Sequence, residues 1–324
     1  MKKMLSFFAL IVLALSMLSC SRIDEDVEGE VVAYALCGTS SFKQSSYLLL
    51  GDAEDRVLKE IKLGPRIPAV INYIDPFIFI PTYINMGGHY DIAEWVYYVN
   101  INTWETGSFK VAWQPREVIP YRDNYVVLSA LTGSDTCIQI FDHSFSLIEE
   151  KTMCGVLRRS PILLGDNLFV PMGGGVCCFR LDAGLTPEYL DFPEKLGSIS
   201  VAEWNGKLVA TDKGSLWTID PESLAITWMN NFLSRYGPGV SLVVNDRLFV
   251  ADTHAAQVIY YNLENNEAKY IPLDRLPKHL SCIGNQIIIS HTDGKTIMDF
   301  EGNILETKSI NGKWLSNFVQ VTVP

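Results

Sequence analysis

The chain is predicted to be all-β, folded as a seven-bladed β-propeller. Three observations carry this reading. Short apolar runs recur after turn residues at a steady interval. A second marker, an Asp or Asn closing each strand-like run, keeps the same period. The chain also ends on a strand that its first unit lacks. Repeats of roughly 40 residues, each holding four short antiparallel strands, describe propeller blades.

The first marker reads "DPFIFIP" at Phe77, "DNYVVLS" at Tyr125, "DNLFVP" at Leu168, "GKLVAT" at Leu208, "DRLFVA" at Leu248 and "NQIIIS" at Ile287, with gaps of 48, 43, 40, 40 and 39 residues. The second falls at Asp52, Asn100, Asp142, Asp182, Asp220 and Asn262, with a weaker member at Glu301. Asp and Asn suit that position because their side chains cap the backbone of a turn. In the fifth unit the four strands are "SISVAEW", "KLVAT", "SLWTID" and "AITWMNN", the first two joined by Asn205-Gly206, a strong hairpin signal. Asp123-Asn124 and Asp166-Asn167 are expected to make the same turn in other units. The first unit opens with "EVVAYALC" and lacks an innermost strand, while "NFVQVTV" (Asn317–Val323) is surplus at the end. The last strand therefore completes blade one, which closes the ring and leaves no open edge. Six or eight blades are the alternatives.

The units resemble the quinoprotein-like and YVTN-type propellers of bacteria over nearly the whole chain after residue 30. The stretch "NGKLVATDKGSLWTIDPESLAITW" carries the resemblance best. That group holds enzymes, cofactor binders and scaffolds, so the resemblance implies a fold and little about activity.

Met1-Lys2-Lys3 followed by an apolar run from Met4 to Leu18 reads as a secretion signal, too short to span a membrane comfortably. Its ending, "SMLSC", resembles a bacterial lipobox, which implies lipidation of Cys20 and a membrane anchor without a spanning helix. An ordinary signal cut elsewhere is the alternative. The polar, acidic "SRIDEDVEGE" after it reads as a solvated tether. It is similar to the surface-export signal of lipoproteins in the Bacteroidota, which implies an outer-membrane protein exposed at the cell surface, with a periplasm-facing protein as the alternative. The expected organisation is a signal at 1–19, the lipidated cysteine and tether at 20–30, and one propeller at 31–324.

Losing residues 1–19 removes Lys2 and Lys3 and moves the formal net charge from -11 to -13. Such a field does not favour nucleic acid. The six later cysteines, at 37, 137, 154, 177, 178 and 282, show no Cys-x-x-Cys spacing, so most of them read as buried thiols rather than a zinc site. Cys177 and Cys178 are neighbours, a pattern that some quinone-cofactor dehydrogenases bridge beside their cofactor. Here both fall in the third strand of blade four, where successive side chains point to opposite faces. Adjacent α-carbons lie about 3.8 Å apart, shorter than the roughly 4.4–6.8 Å usual across a disulfide. The pair is expected to be core, and no cofactor is expected.

Propeller ligands sit at the channel end lined by the loops before the innermost strands and between the second and third. The first set holds Arg66, Arg116, Arg158 with Arg159, Lys195, Arg235, Lys278 and Lys313. In register, these basic positions form a positive mouth that can grip carboxylates or sulfates; solvated surface charge is the alternative. The second set holds Asp252-Thr253-His254 and His291-Thr292-Asp293. There His254 and His291 are candidate acid–base groups, and Asp252 and Asp293 candidate metal ligands. The long loop "TYINMGGHYDIAEW" offers Tyr83, His89 and Tyr90 as ligand-binding residues, the tyrosines for stacking on sugar rings, with Trp95 either stacking beside them or beginning a strand. Phosphate-cradling loops, Gly-x-Ser-x-Gly elbows and His-Glu-x-x-His helices do not occur. The function expected from this is a surface-anchored scaffold binding an acidic glycan or a partner protein. The alternative is a lyase, hydrolase or lactonase-like enzyme acting on an anionic sugar.

Overall fold

A computed structural model describes residues 27–38, 45–64, 66–85, 93–131, 135–157, 159–193, 199–212, 214–231 and 239–324; the side chains of Arg66, Tyr83, Ile84 and Asn85 lie outside the description. Its strands form seven antiparallel sheets, one per blade. Blade five has the predicted form: Ser200–Trp204, Lys207–Thr211, Ser215–Ile219 and Ile226–Asn231. The first strands of blades four to seven touch in succession. The contact runs on through Phe318–Val323 to the first strands of blades two and three, so these strands line the ring's inner side.

Closure follows the expected route. Phe318–Val323 pairs antiparallel with Gly29–Cys37, from Gly29 opposite Val323 to Tyr34 opposite Phe318. The folded part starts ahead of position 31: Gly29 opens the second strand of blade one, and Val27 is buried in the core it shares with blade two. In blade two the innermost strand is split into Arg66–Pro68 and Asn72–Ile74, both paired with Phe77–Asn85.

The core is divided into seven clusters, one between each pair of neighbouring blades. Strand alternation produces this directly. In blade five, Leu208 and Ala210 face blade four while Val209 faces blade six. In blade seven, Ile287 and Ile289 face blade six while Ile288 faces blade one. Every second strand is therefore apolar on both faces, the continuous run that the first sequence marker detects. Cys177 and Cys178 obey the same rule. Both thiols are free and buried, the first packed between blades three and four and the second between blades four and five.

The turns differ from expectation in two details. Tyr121 pairs with Asn124 and Leu164 with Asn167, so the hairpin turns are Arg122-Asp123 and Gly165-Asp166, each one residue earlier than expected. Positive φ is needed at the first turn residue, and Arg122 (53°) and Gly165 (58°) supply it. Asn205-Gly206 turns as expected, at 50° and 74°. The second detail concerns the capping carboxylates. Asp52, Asp142 and Asp220 each accept two backbone N–H bonds from the turn that follows. In blade seven Asp299 does this, from Glu301 and Asn303, so Glu301 is not the cap. In blade four the equivalent position is the buried Leu181, which opens a short 3₁₀ turn, and Asp182 pairs with Arg180 instead.

Candidate functional site

Seven blades around one axis bring the starts of their innermost strands together at one end of the channel. A cavity of about 760 Å³ lies there. Its walls come from Pro68–Val70 in blade two, Gln114, Arg116 and Glu117 in blade three, and Arg159 and Ser160 at the entry to blade four. Val240 and Thr253 in blade six, Lys278 and His279 in blade seven, and Trp314 and Leu315 beside the closing strand also line it, with the apolar Ala130, Leu131, Val156 and Leu157 between. Three cations on three blades, Arg116, Arg159 and Lys278, thus face one space. The Lys278 ammonium sits 4.4 Å from the centre of the Trp314 ring, a cation–π contact. Gln114 and Trp314 are both held at positive φ, 53° and 58°.

The electrostatics are those of a confined, poorly hydrated space. Burial pushes the Glu117 carboxyl up to about 7, against hydrogen bonds from Ser160 and Asn72 that favour its charged form. Burial, and then the charges of Lys278 and Arg159, push His279 down to about 4, so its imidazole is neutral at pH 7. Burial also lowers Lys278. The cavity therefore pairs positive charge with one acid raised towards neutrality and one neutral imidazole, a lining complementary to anions.

No family model matches the chain, and no curated protein does. Among solved structures it is similar to AztD from Citrobacter koseri (TM-score 0.58, 10% identity, covering 91% of this chain and 98% of that one). It is also similar to BamB from Moraxella catarrhalis (TM-score 0.58, 12% identity, 90% of each chain). The computationally designed Ika8 protein matches at 0.58 with 11% identity, over 89% of this chain and 90% of that one. The likeness is one of fold. At these identities the shared object is the β-propeller, and the site must be argued from this chain's own residues.

Of the basic positions read from the sequence, Arg116, Arg159 and Lys278 line the cavity. Lys313 lies on the turn before the closing strand, exposed, its backbone bonded both ways to Cys37 at 2.8 Å. Arg66 begins the split inner strand of blade two, and its side chain lies outside the description. Arg158, Lys195 and Arg235 lie outside the described residues.

In the second loop set each residue has partners within its own blade. Asp252 Oδ1 accepts the backbone N–H groups of His254 and Ala255 at 3.1 Å each, and Gln257 donates to Oδ2. It caps its loop as Asp212 does in blade five. His254 is exposed, with Nδ1 3.2 Å from the Thr253 hydroxyl. His291 is buried: Nδ1–H donates to the Leu276 carbonyl at 3.1 Å, and Nε2 accepts from the Thr296 hydroxyl at 2.9 Å. Burial holds its pKa down. Asp293 is ion-paired with Arg275 at 2.8 Å. Among the described residues no group of three or more His, Cys, Asp or Glu is arranged to hold a metal.

Tyr83 belongs to the second strand of blade two, with its side chain outside the description, and His89 and Tyr90 lie outside the described residues. Trp95 begins the third strand, Trp95–Asn100. Sequence reasoning missed Glu117, His279, Gln114 and Trp314. The signal was present: Glu117, His279 and Trp314 each directly follow one of the basic positions.

Proposed function

We propose that this protein is a surface-anchored lipoprotein whose propeller is a recognition scaffold for an anionic ligand, either an acidic glycan or an acidic segment of a partner protein. The observation that carries it is the convergence of Arg116, Arg159 and Lys278 on one cavity of about 760 Å³ in a chain of net charge -11. Cations held on the innermost strand of blade three and at the entries to blades four and seven focus anions and need little reorganisation on binding. The cavity also falls within the roughly 300–1,000 Å³ typical of small-molecule sites. The lipobox-like Cys20 and the acidic tether support anchoring at the outer membrane, facing outwards.

The test is glycan-array binding by the full-length protein in detergent, beside an R116A/K278A double variant. Binding to acidic glycans that the double variant loses supports the reading; acidic-glycan binding unaffected by it sinks the basic mouth. Incorporation of a labelled fatty acid that disappears in C20A tests the anchor. An enzymatic reading, a lyase or hydrolase on an anionic sugar, is favoured by one observation: the raised carboxyl of Glu117 inside the same cavity. Product formation from an acidic oligosaccharide, abolished in E117Q, is its test.

A further inference from the structure

Glu117 is the single acid among the described residues lining the cavity, and only 9% of it is exposed. It follows Arg116 at the start of the innermost strand of blade three. Neutral donors bond its carboxylate, Ser160 from the entry to blade four and Asn72 from blade two. A carboxylate offers about four acceptor positions, so those two donors leave accepting capacity in a desolvated wall.

For a site built around bare anions, this group is a liability. In its ionised form, which the folded chain gains as pH rises through about 7, it repels the ligand at short range where screening is weak. For a ligand that is anionic and also rich in hydroxyl groups, it supplies the acceptor those hydroxyls need once they leave water. The cations on blades three, four and seven can hold the acid group, Trp314 adds an aromatic wall, and the Gln114 amide both donates and accepts. An acidic peptide brings carboxylates and amides but no run of hydroxyls, so this lining fits a carbohydrate acid better.

We propose that the cavity selects a polyhydroxylated acid, such as a sugar-acid unit, over an equally charged bare anion. Glu117 accepts the hydroxyl hydrogens while Arg116, Arg159 and Lys278 hold the acid group. The inference rests on the anionic reading above and names its ligand class.

Galactarate and adipate test it as a pair, being six-carbon dicarboxylates of equal charge of which only galactarate carries hydroxyls. Calorimetric titration of the full-length protein in detergent should show galactarate binding at least about 10-fold more tightly, the effect of one well-made buried hydrogen bond. E117M removes the accepting oxygens at similar length and should bring the two ligands within about 2-fold, while E117Q, which keeps one accepting oxygen, retains part of the preference. R116A should weaken both ligands alike. Equal binding of both to the wild type overturns the inference and leaves the anionic reading standing. Binding of neither overturns the anionic reading and the inference with it. A preference that survives intact in E117M removes Glu117 from the role, and the wild-type comparison stays decisive if E117M does not fold.

Discussion

The side chain of Asn317 takes both backbone groups of Ile71, 246 residues away: Oδ1 accepts the Ile71 N–H at 2.7 Å, and Nδ2 donates to the Ile71 carbonyl at 2.9 Å. Ile71 lies in the break between the two halves of blade two's innermost strand, where strand pairing supplies neither bond. The residue is wholly buried, so water cannot supply them either. Asn317 directly precedes the strand that closes the ring, and one amide thus fixes the closing segment to the neighbouring blade.

N317A should therefore destabilise the protein more than an average surface change. Two buried backbone groups would lose their partners, at about 1–3 kcal/mol each. Urea unfolding should show a loss of about 2–6 kcal/mol with the slope unchanged. A loss below about 0.5 kcal/mol would mean that the backbone of Ile71 finds other partners.

Thiol reactivity separates the cysteines by position. Cys154 and Cys282 are exposed, whereas Cys37, Cys137, Cys177 and Cys178 are buried. Burial pushes Cys177 up to about 12 and Cys178 and Cys137 up to about 11, leaving almost no thiolate at neutral pH. In native protein a disulfide reagent should titrate two of these six thiols rapidly and the rest only on unfolding. Reductant should leave the unfolding midpoint unchanged. A midpoint that falls on reduction would contradict the packing of Cys177 and Cys178 into separate cores.

The fold was legible because a blade is a local object. Each second strand is apolar on both faces, and each hairpin has turn residues within a few positions, so period and strand order survive in the raw sequence. The reading slipped where tertiary packing chose between neighbours. Leu181 is buried at the capping position, which leaves Asp182 outside it, and Asp299 rather than Glu301 holds the last turn. The site was legible only in part for a related reason. Arg116 and Lys278 stand out as cations at the entries to innermost strands, but Glu117 beside Arg116 looks ordinary in sequence. Only closure of the ring brings Ser160, Asn72 and the cavity wall around it and removes its water.

Blades seven and one are joined near their outer strands by Asp55, whose carboxylate takes both Lys295 and Lys308. Lys295 is only 5% exposed, so losing its counter-charge would strand a buried ammonium. D55N retains a residue that tolerates the positive φ of 65° found there, and should still cost about 3 kcal/mol because the buried charge becomes uncompensated. K308A removes a more exposed partner and should cost under about 1 kcal/mol. Equal losses in the two variants would show that Lys295 does not depend on Asp55.

Glu117 and His279 should oppose each other in the pH dependence of stability. Glu117 is raised from 4.5 to about 7 by burial, against Ser160 and Asn72. Its contribution is complete below pH 4.5 and is lost as pH rises through 7, because in that window the folded chain holds a proton the unfolded chain has released. His279 is lowered from 6.5 to about 4 by burial and then by Lys278 and Arg159. Its contribution is complete above pH 6.5 and is lost as pH falls through 4, because there the unfolded chain takes a proton the folded chain refuses. Between pH 4.5 and 6.5 the two slopes have opposite signs and each approaches about 1.4 kcal/mol per pH unit, so they nearly cancel in the wild type. E117Q removes the falling slope, and its stability relative to wild type should climb by up to about 3 kcal/mol between pH 4.5 and 7. H279Q should do the reverse, losing ground to the wild type as pH rises from 4 to 6.5. Urea unfolding of the three proteins across that range reads both differences directly. A relative stability of E117Q that stays flat with pH would show that its carboxyl is ionised in the folded protein throughout, and that water reaches the cavity wall.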